Sequence, residues 1–572
     1  MLDSSKPKPI GIIGGGPAGS IAALCLRKLN RDAEVFEKSK FPRYRIGESL
    51  LPGTLSILSR LGLADQLETV GFSKKRAATF IWGPNHEPWT FSFATPKTRS
   101  WTYDHAYQVE RAEFDQLLLN AARERGATIH EDCEVTHVST DNGKGGGRIS
   151  WRKGTEVGTT DAPWIIDGSG RRGLIATSTG SRQFDPYFKN MAIWSYFKGG
   201  KRYSGNLKGN IFSVATNYGW IWIIPLRNDT YSVGVVTDES VNERIRETDL
   251  VTVFEEMLTT CDFTRDLLKN AERCDKIRAT RDWAYEASVY ATEKAFLCGD
   301  AACFIDPLFS QGVHLAAFSA VLASACIDHL IDNPEASSKV QQWYDQSYRE
   351  AYNGYHEFLT AFYACNSGRP SNFWKRRAIF DEKDSRFEDK AWFASSKSLD
   401  AADTAAEIAR RGMALGELWR HASGQLSDDF DEMELSLRRL RWAGDRMKQF
   451  QQMKSVRWTS PHVRLASTFK VDPLSFKLEE TACLEDGAGR CFRNFPANEN
   501  HRQLFESSRS QRFSFRELSR ELRKAGADGL PTQITGELLE QGFLTGYDSN
   551  DQPISVENPL RFRGVGATDP LA

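Results

Sequence analysis

The sequence predicts a mixed α/β chain, and three observations carry that expectation. At residues 8–29 a short apolar strand runs into a glycine-rich turn and then into apolar residues at helical spacing. Residues 212–216, 220–225 and 230–236 are aromatic and β-branched runs divided by Asn217-Tyr218-Gly219 and Arg227-Asn228-Asp229, the pattern of an antiparallel sheet. Near residue 366 the character changes: the chain becomes charged with interspersed aromatics, which predicts a mostly helical C-terminal region.

The elements follow in order. Residues 8–13 form the first strand. Gly14, Gly15, Gly16 and Pro17 make the turn, and Ala18, Ile21, Ala22, Cys25, Leu26 and Leu29 mark a helix. A second strand at 33–37 completes a Rossmann-type βαβ unit. The chain is strand-rich to about residue 290, and after residue 313 a long helix rich in small residues begins. The last stretch, 513–547, reads helix, turn, helix and hairpin, a winged-helix-like module. The expected domains are 1–365, 366–500 as a helical linker or cover, and 501–572.

Composition narrows the function classes. A chain of 572 residues with 40% hydrophobic and 26% charged residues is globular and too long for one compact domain. With 74 Lys+Arg against 75 Asp+Glu the net charge is -1, which argues against a general nucleic-acid or anionic-membrane binder. No apolar run reaches the roughly 18 residues of a membrane span. The 10 Cys are scattered without CxxC or metal-ligand spacing, which predicts free thiols, no metal and a cytoplasmic location.

Gly14-x-Gly16-x-x-Gly19 sits between strand and helix, and Glu37 ends the next strand. The glycines permit a tight turn and close approach of a pyrophosphate to a helix N-terminus, and the acid suits a ribose hydroxyl. Three further stretches resemble the flavoprotein monooxygenases: Gly299-Asp300, the segment 165–171, and Val109-x-Arg111-x-x-Phe114-Asp115. This resemblance implies their FAD-binding fold, with Asp300 on the ribitol and Arg111 near the cofactor. No second glycine fingerprint for NAD(P)H is present, so a separate flavin reductase is expected.

Within that superfamily the chain resembles the flavin-dependent halogenases. Trp220-Ile221-Trp222-Ile223-Ile224-Pro225 matches their WxWxIP signature. Lys75, in a Lys-x-x-Ala-Thr-Phe context, matches their essential lysine, although a Lys-Lys-Arg run is ordinarily a solvated face. The segment 306–314 resembles the one that supplies backbone N–H groups for chloride, here from Gln311 and Gly312, with Pro307 and Val313 beside the flavin. Tryptophan halogenases carry a Glu where this chain has Phe309, which argues against an indole substrate. His314 reads as structural.

Residues 45–53, including Arg45 and Glu48, are similar to the chloramphenicol-pathway halogenase group, and the similarity continues through 281–285, Tyr355 and 544–548. It implies chlorination of an activated, enolisable carbon on an acyl group held by an acyl- or peptidyl-carrier protein. Reduced FAD, O2 and chloride would yield hypochlorous acid, which passes Trp220 and Trp222 to Lys75. Glu48 and Tyr355 would enolise or orient the substrate. Asp282 stands where that group joins a carboxylate to the flavin; the alternative is a dissociable FAD. Rival readings are a phenol or pyrrole halogenase, a hydroxylating monooxygenase, and a non-enzymatic flavin-responsive regulator. Against the last, the helix expected at 530–541 carries Glu537 and Glu540 and no Lys or Arg.

Overall fold

The computed structural model describes residues 7–82, 88–93, 103–364, 366, 371–375, 452–459, 463–485, 491–492, 503, 506, 512–524, 535, 538–539 and 543–554. Strand Ile10–Ile13 is buried throughout and lies in the middle of a six-stranded sheet. It pairs in parallel with Ala33–Phe36 on one side and Ile165–Asp167 on the other. Thr128–His130 and Ala295–Leu297 continue the parallel order outward, and Ala291–Thr292 closes one edge antiparallel. Helices cover such a sheet on both faces, which is why its central strands read as unbroken apolar runs.

Helix Pro17–Lys28 packs against helix Gly312–Asp332, and small residues on both allow the approach. Ser324 Oγ donates across to the carbonyl of Ala22 at 3.3 Å. Helix Gly312–Asp332 has the length and apolar character of a membrane span, which inspection of the sequence for apolar runs does not register. Its most apolar window is 83% buried inside the protein, so its hydrophobicity is that of a core helix.

The second sheet has nine strands among the described residues. The three middle strands occur as the sequence predicts, at Ile211–Thr216, Gly219–Pro225 and Thr230–Asp238, paired antiparallel. Strand Arg182–Lys198 pairs with Thr230–Asp238 on one side and Arg278–Ala287 on the other. Both faces are buried. Trp220, Trp222 and Trp194 join the core shared with the first sheet. Ile221, Ile223, Val233 and Val235 pack on the opposite face with Phe254 of helix Leu250–Thr259 and Leu267 of helix Asp262–Leu268. Gly234 lies between Trp194 and Trp222 in register, and a Cβ there would sit 2.1 Å from the Trp222 ring.

Helix Ser337–Ala364 adds a row of buried tyrosines, and the short helix Asn372–Lys375 seats Trp374, whose Nε1 donates to the Thr216 carbonyl at 2.6 Å. The helical expectation for 366–500 needs correction at 455–492. There the chain forms strands at Ser455–Trp458, Arg464–Val471, Leu478–Glu485 and Cys491–Phe492. Phe469, Val471, Phe476 and Leu478 belong to the main core, and Phe469 packs edge-on against Trp343. Ser455–Trp458 pairs with Leu544–Tyr547, so pairing crosses the expected boundary at 500. Helix Phe515–Lys524 and the hairpin of Leu544–Tyr547 with Pro553–Ile554 occur as expected. Most of the helix expected at 530–541 lies outside the described residues.

Candidate active site

The glycine turn has the geometry of a phosphate-binding loop. Gly14 adopts φ +91°, and a Cβ on Gly19 would lie 1.8 Å from the Gly14 carbonyl oxygen, so neither position accepts a side chain. Glu37, at the end of Ala33–Phe36, accepts from Gly15 N at 2.7 Å and from Ser39 N at 2.8 Å, holding the loop against the next strand. Arg43 stands at the mouth, with Nη2 3.2 Å from where a Gly16 Cβ would be. Arg43 and Arg111 both bind Asp115; the Arg111 fork spans it at 2.8 and 2.9 Å while Nη1 donates to the Ile46 carbonyl at 2.7 Å. Arg45 is exposed; desolvation of its head and the Arg43 and Arg111 charges pull its pKa down.

Asp300, in the turn Gly299–Ala301, has its pKa raised by burial and is drawn back by Arg171, Arg111 and Arg182. Arg182 lies over the Tyr285 ring, with Nε and Nη2 buried and without hydrogen-bond partners. Orphaned guanidinium donors beside a strained glycine turn and a carboxylate fit a large, polar, anionic ligand, as FAD is. Arg43 and Arg182 carry no motif. What could have flagged them is only the density of arginines at 43–45 and 171–182.

The second part of the site is the start of helix Gly312–Asp332. Asp306 caps the turn Pro307–Phe309 by accepting from Leu308 N at 3.1 Å, and Ser310 takes a left-handed φ of 61°. Gln311 holds the turn through Nε2 to the Asp306 carbonyl at 2.5 Å, while its Oε1 is buried without a partner. The helix has no side-chain cap, and the space beside Gly312 is open. Its first N–H groups lack intrahelical partners and form the positive end of the helix dipole, which suits a small anion. Val313 is buried in this first turn. His314 packs against Gly53, and burial holds its pKa down near 4, so it is a neutral packing group.

Lys75 ends the strand Ser73–Lys75 and is 1% exposed. Its Nζ donates to the Leu50 carbonyl at 3.0 Å and lies 3.4 Å from Ser310 Oγ, so it joins the 45–53 and 306–314 segments. The ammonium also sits 5.2 Å from the centre of the Phe93 ring. No carboxylate pairs with it among the described residues, and burial alone lowers its pKa to about 7. The neighbouring Lys74 is the solvated member of the run, paired with Glu68 at 2.7 Å.

Glu48 is 3% exposed, and burial raises its pKa to about 7 against the opposing pull of Ser232, Tyr196 and Arg111. Oε1 accepts from Tyr196 Oη at 2.7 Å, and Oε2 is buried without a hydrogen-bond partner. Trp222 Nε1 donates to that same Ser232 at 3.3 Å, which places the second tryptophan beside the acid. Trp220 Nε1 donates to Tyr363 Oη at 2.5 Å, and Tyr363 donates on to Asp306 Oδ2 at 2.7 Å, where Asn190 Nδ2 also arrives at 2.8 Å. The tryptophan strand is thereby tied to the anion-binding turn. Sequence reading missed Tyr196, Ser232, Asn190 and Tyr363, which stand in no motif.

Two expected residues are less connected. Tyr355 is buried two helical turns before Tyr363 on the same face, with its hydroxyl unpaired and its pKa driven up by burial. Neither Lys75 nor Glu48 hydrogen-bonds to it. The backbone of Asp282 pairs with Asn190, but its side chain lies outside the described residues.

The arrangement thus combines a dinucleotide loop, an anion-accepting helix start, an amine whose pKa burial lowers, and a buried acid with one free oxygen. Comparison with known proteins identifies the family. The family model described as Tryptophan halogenase matches residues 9–104 and 94–423, and the one described as Chloramphenicol halogenase CmlS C-terminal domain matches 442–559. Tryptophan 2-halogenase of Chondromyces crocatus is 34% identical over 377 residues, 65% of this chain and 71% of that protein. Sulochrin halogenase gedL of Aspergillus terreus is 32% identical over 404 residues, 66% and 72% of the two chains. The structure of CmlS, a flavin-dependent halogenase, superimposes with a TM-score of 0.81 at 42% identity, over 98% of this chain and 100% of that one. The myxobacterial chondrochloren halogenase CndH, an FAD-dependent halogenase, gives 0.62 at 32% identity, over 74% and 98%.

Proposed function

Because this chain belongs to the tryptophan halogenase family of flavin-dependent halogenases, we propose that it chlorinates an enolisable acyl carbon, presented on a carrier protein, with Lys75 delivering the chlorine. Bound FAD, reduced by a separate reductase, would supply the oxidising chemistry that turns O2 and chloride into hypochlorous acid. The loop of Gly14, Gly16 and Gly19, with Glu37, Arg43, Arg45, Arg111 and Asp300, holds that cofactor. Pro307, Gln311, Gly312 and Val313 place chloride at the helix start, where fixed backbone donors favour an anion.

The observation that carries the reading is Lys75. A lysine buried without a counter-ion is costly to keep, and its lowered pKa leaves a nucleophilic amine at neutral pH. It holds the oxidant by hydrogen bond or as a chloramine and confines it to one substrate position, since a freely diffusing oxidant has no selectivity. Trp220 and Trp222 line the way and keep bulky substrates from the flavin. Glu48 takes the proton from an acidic carbon; in support, burial raises its pKa to about 7 and one of its oxygens is uncommitted. Tyr355 orients the acyl group with its unpaired hydroxyl. Phe309, packed on Phe80 at 5.7 Å between ring centres, leaves no carboxylate there for an indole N–H.

The test supplies reduced FAD, O2 and chloride with a panel of free and carrier-bound acyl substrates and reads product mass. Chlorine on a carrier-bound acyl group supports the proposal. Chlorination of free phenols or pyrroles alone, or hydroxylation without chloride incorporation, contradicts it.

A further inference from the structure

We propose that Tyr196 and Tyr44 form a proton relay that connects Glu48 to solvent. Three hydroxyl and carboxyl groups stand in line: Glu48 Oε1 is 2.7 Å from Tyr196 Oη, which is 3.1 Å from Tyr44 Oη, and Tyr44 is 40% exposed. Trp194 Nε1 donates to Tyr44 Oη at 2.6 Å. An indole N–H only donates, so Tyr44 always accepts at that site and its own proton is left to point along the chain or outward. The Tyr196 hydroxyl is set to donate to either neighbour; with Glu48 ionised its proton goes to Glu48, and the Tyr44 proton turns to Tyr196. With Glu48 protonated, every bond reverses: Glu48 donates to Tyr196, Tyr196 to Tyr44, and Tyr44 to water. The chain therefore has two satisfied states that differ by one proton at its inner end.

The relay rests on Glu48 being the group that accepts the substrate proton. In chlorination a C–H bond breaks, its electron pair takes chlorine, and R–H plus HOCl becomes R–Cl plus water. Where HOCl is the donor its hydroxide is owed a proton, and where a chloramine is the donor the Lys75 nitrogen is; in both cases the buried Glu48 has to give up the proton it gained before the next turnover. A half-turn of the carboxyl brings a proton gained at the free Oε2 onto Tyr196, and the tyrosines pass it outward. Neither phenol has to ionise, since burial and the Glu48 charge hold the Tyr196 pKa far up. The charged or titratable groups around the chain are Arg111 and Glu110 at Glu48, and Arg278 over the Tyr44 ring at 4.2 Å.

The experiment follows Glu48 itself, without substrate, in the full-length FAD-loaded protein. The infrared band of its carboxyl group is assigned by its absence in Glu48→Gln and is followed after a pH jump across about 7. In Tyr44→Phe, which keeps the ring and removes the hydroxyl that also accepts from Trp194, equilibration is expected to slow ~10-fold or more. The end-point titration should hardly move, because the bond from Tyr196 to Glu48 remains. In Tyr196→Phe equilibration slows and the Glu48 pKa also rises, because a donor to the carboxylate is lost. Wild-type equilibration rates in both variants would overturn the relay. Chlorination by Glu48→Gln tests the role of Glu48 separately, so the route and the role can fail independently.

Discussion

Lys75 shows what a reactive group costs. The fall of its pKa from 10.5 to about 7 is on the order of 5 kcal/mol of lost stability when the side chain is forced into the core. Lys75→Met should therefore raise the unfolding free energy by a few kcal/mol while removing chlorination. The gain should be largest below about pH 7 and should vanish as pH climbs toward 10.5, where the unfolded chain also loses that proton; denaturant melts across pH check it. Glu48 has the opposite displacement, and its base form appears as pH rises through about 7. Chlorination should rise over the same interval, in which the neutral Lys75 amine also appears, and Glu48→Gln should lower the plateau and leave only the Lys75 part of that limb while hypochlorous acid is still made. Lys75 and Glu48 were legible because each stands in a contiguous motif. Tyr196 and Ser232 were not, because they reach Glu48 only when strands Arg182–Lys198 and Thr230–Asp238 pair.

The tryptophan strand Gly219–Pro225 is positioned by its neighbours more than by its own sequence. Gly234 across the ladder makes room for the Trp222 ring, and Tyr363 fixes Trp220. Tyr363→Phe removes a donor from the buried Asp306 and an acceptor from Trp220, an expected loss of about 1–3 kcal/mol. Its second effect should be a weaker response of flavin oxidation to chloride, since Asp306 holds the Gln311 turn through its carbonyl. Stability with unchanged chloride response would separate the turn from the strand. Period-two patterning and turn residues revealed this strand from sequence alone. The same reasoning failed at 455–485, where charged residues on exposed strand positions, such as Arg464 and Glu479, imitate a solvated helix.

At the scale of the molecule, the C-terminal region divides in two by packing. Residues 464–478 contribute Phe469, Val471, Phe476 and Leu478 to the main core, and Arg60 bonds the Pro473 carbonyl at 3.1 Å. Met453, Val456, Leu518, Phe543 and Leu544 form a separate core. A chain ending near residue 500 should keep FAD and its oxidation while losing carrier-bound substrate use. A chain ending near 460 should lose stability as well, because the surface under Phe469 and Phe476 is uncovered; thermal melts of the two truncations distinguish them. The FAD-binding half was legible because its fingerprint is local, whereas the cover depends on contacts between distant segments. The most direct test of the whole account is Lys75→Ala assayed with reduced FAD, O2, chloride, a carrier-bound acyl substrate and a soluble chlorine trap. The account predicts hypochlorous acid in the trap and no chlorine on the substrate. Regioselective chlorination by this variant at the wild-type rate would contradict it.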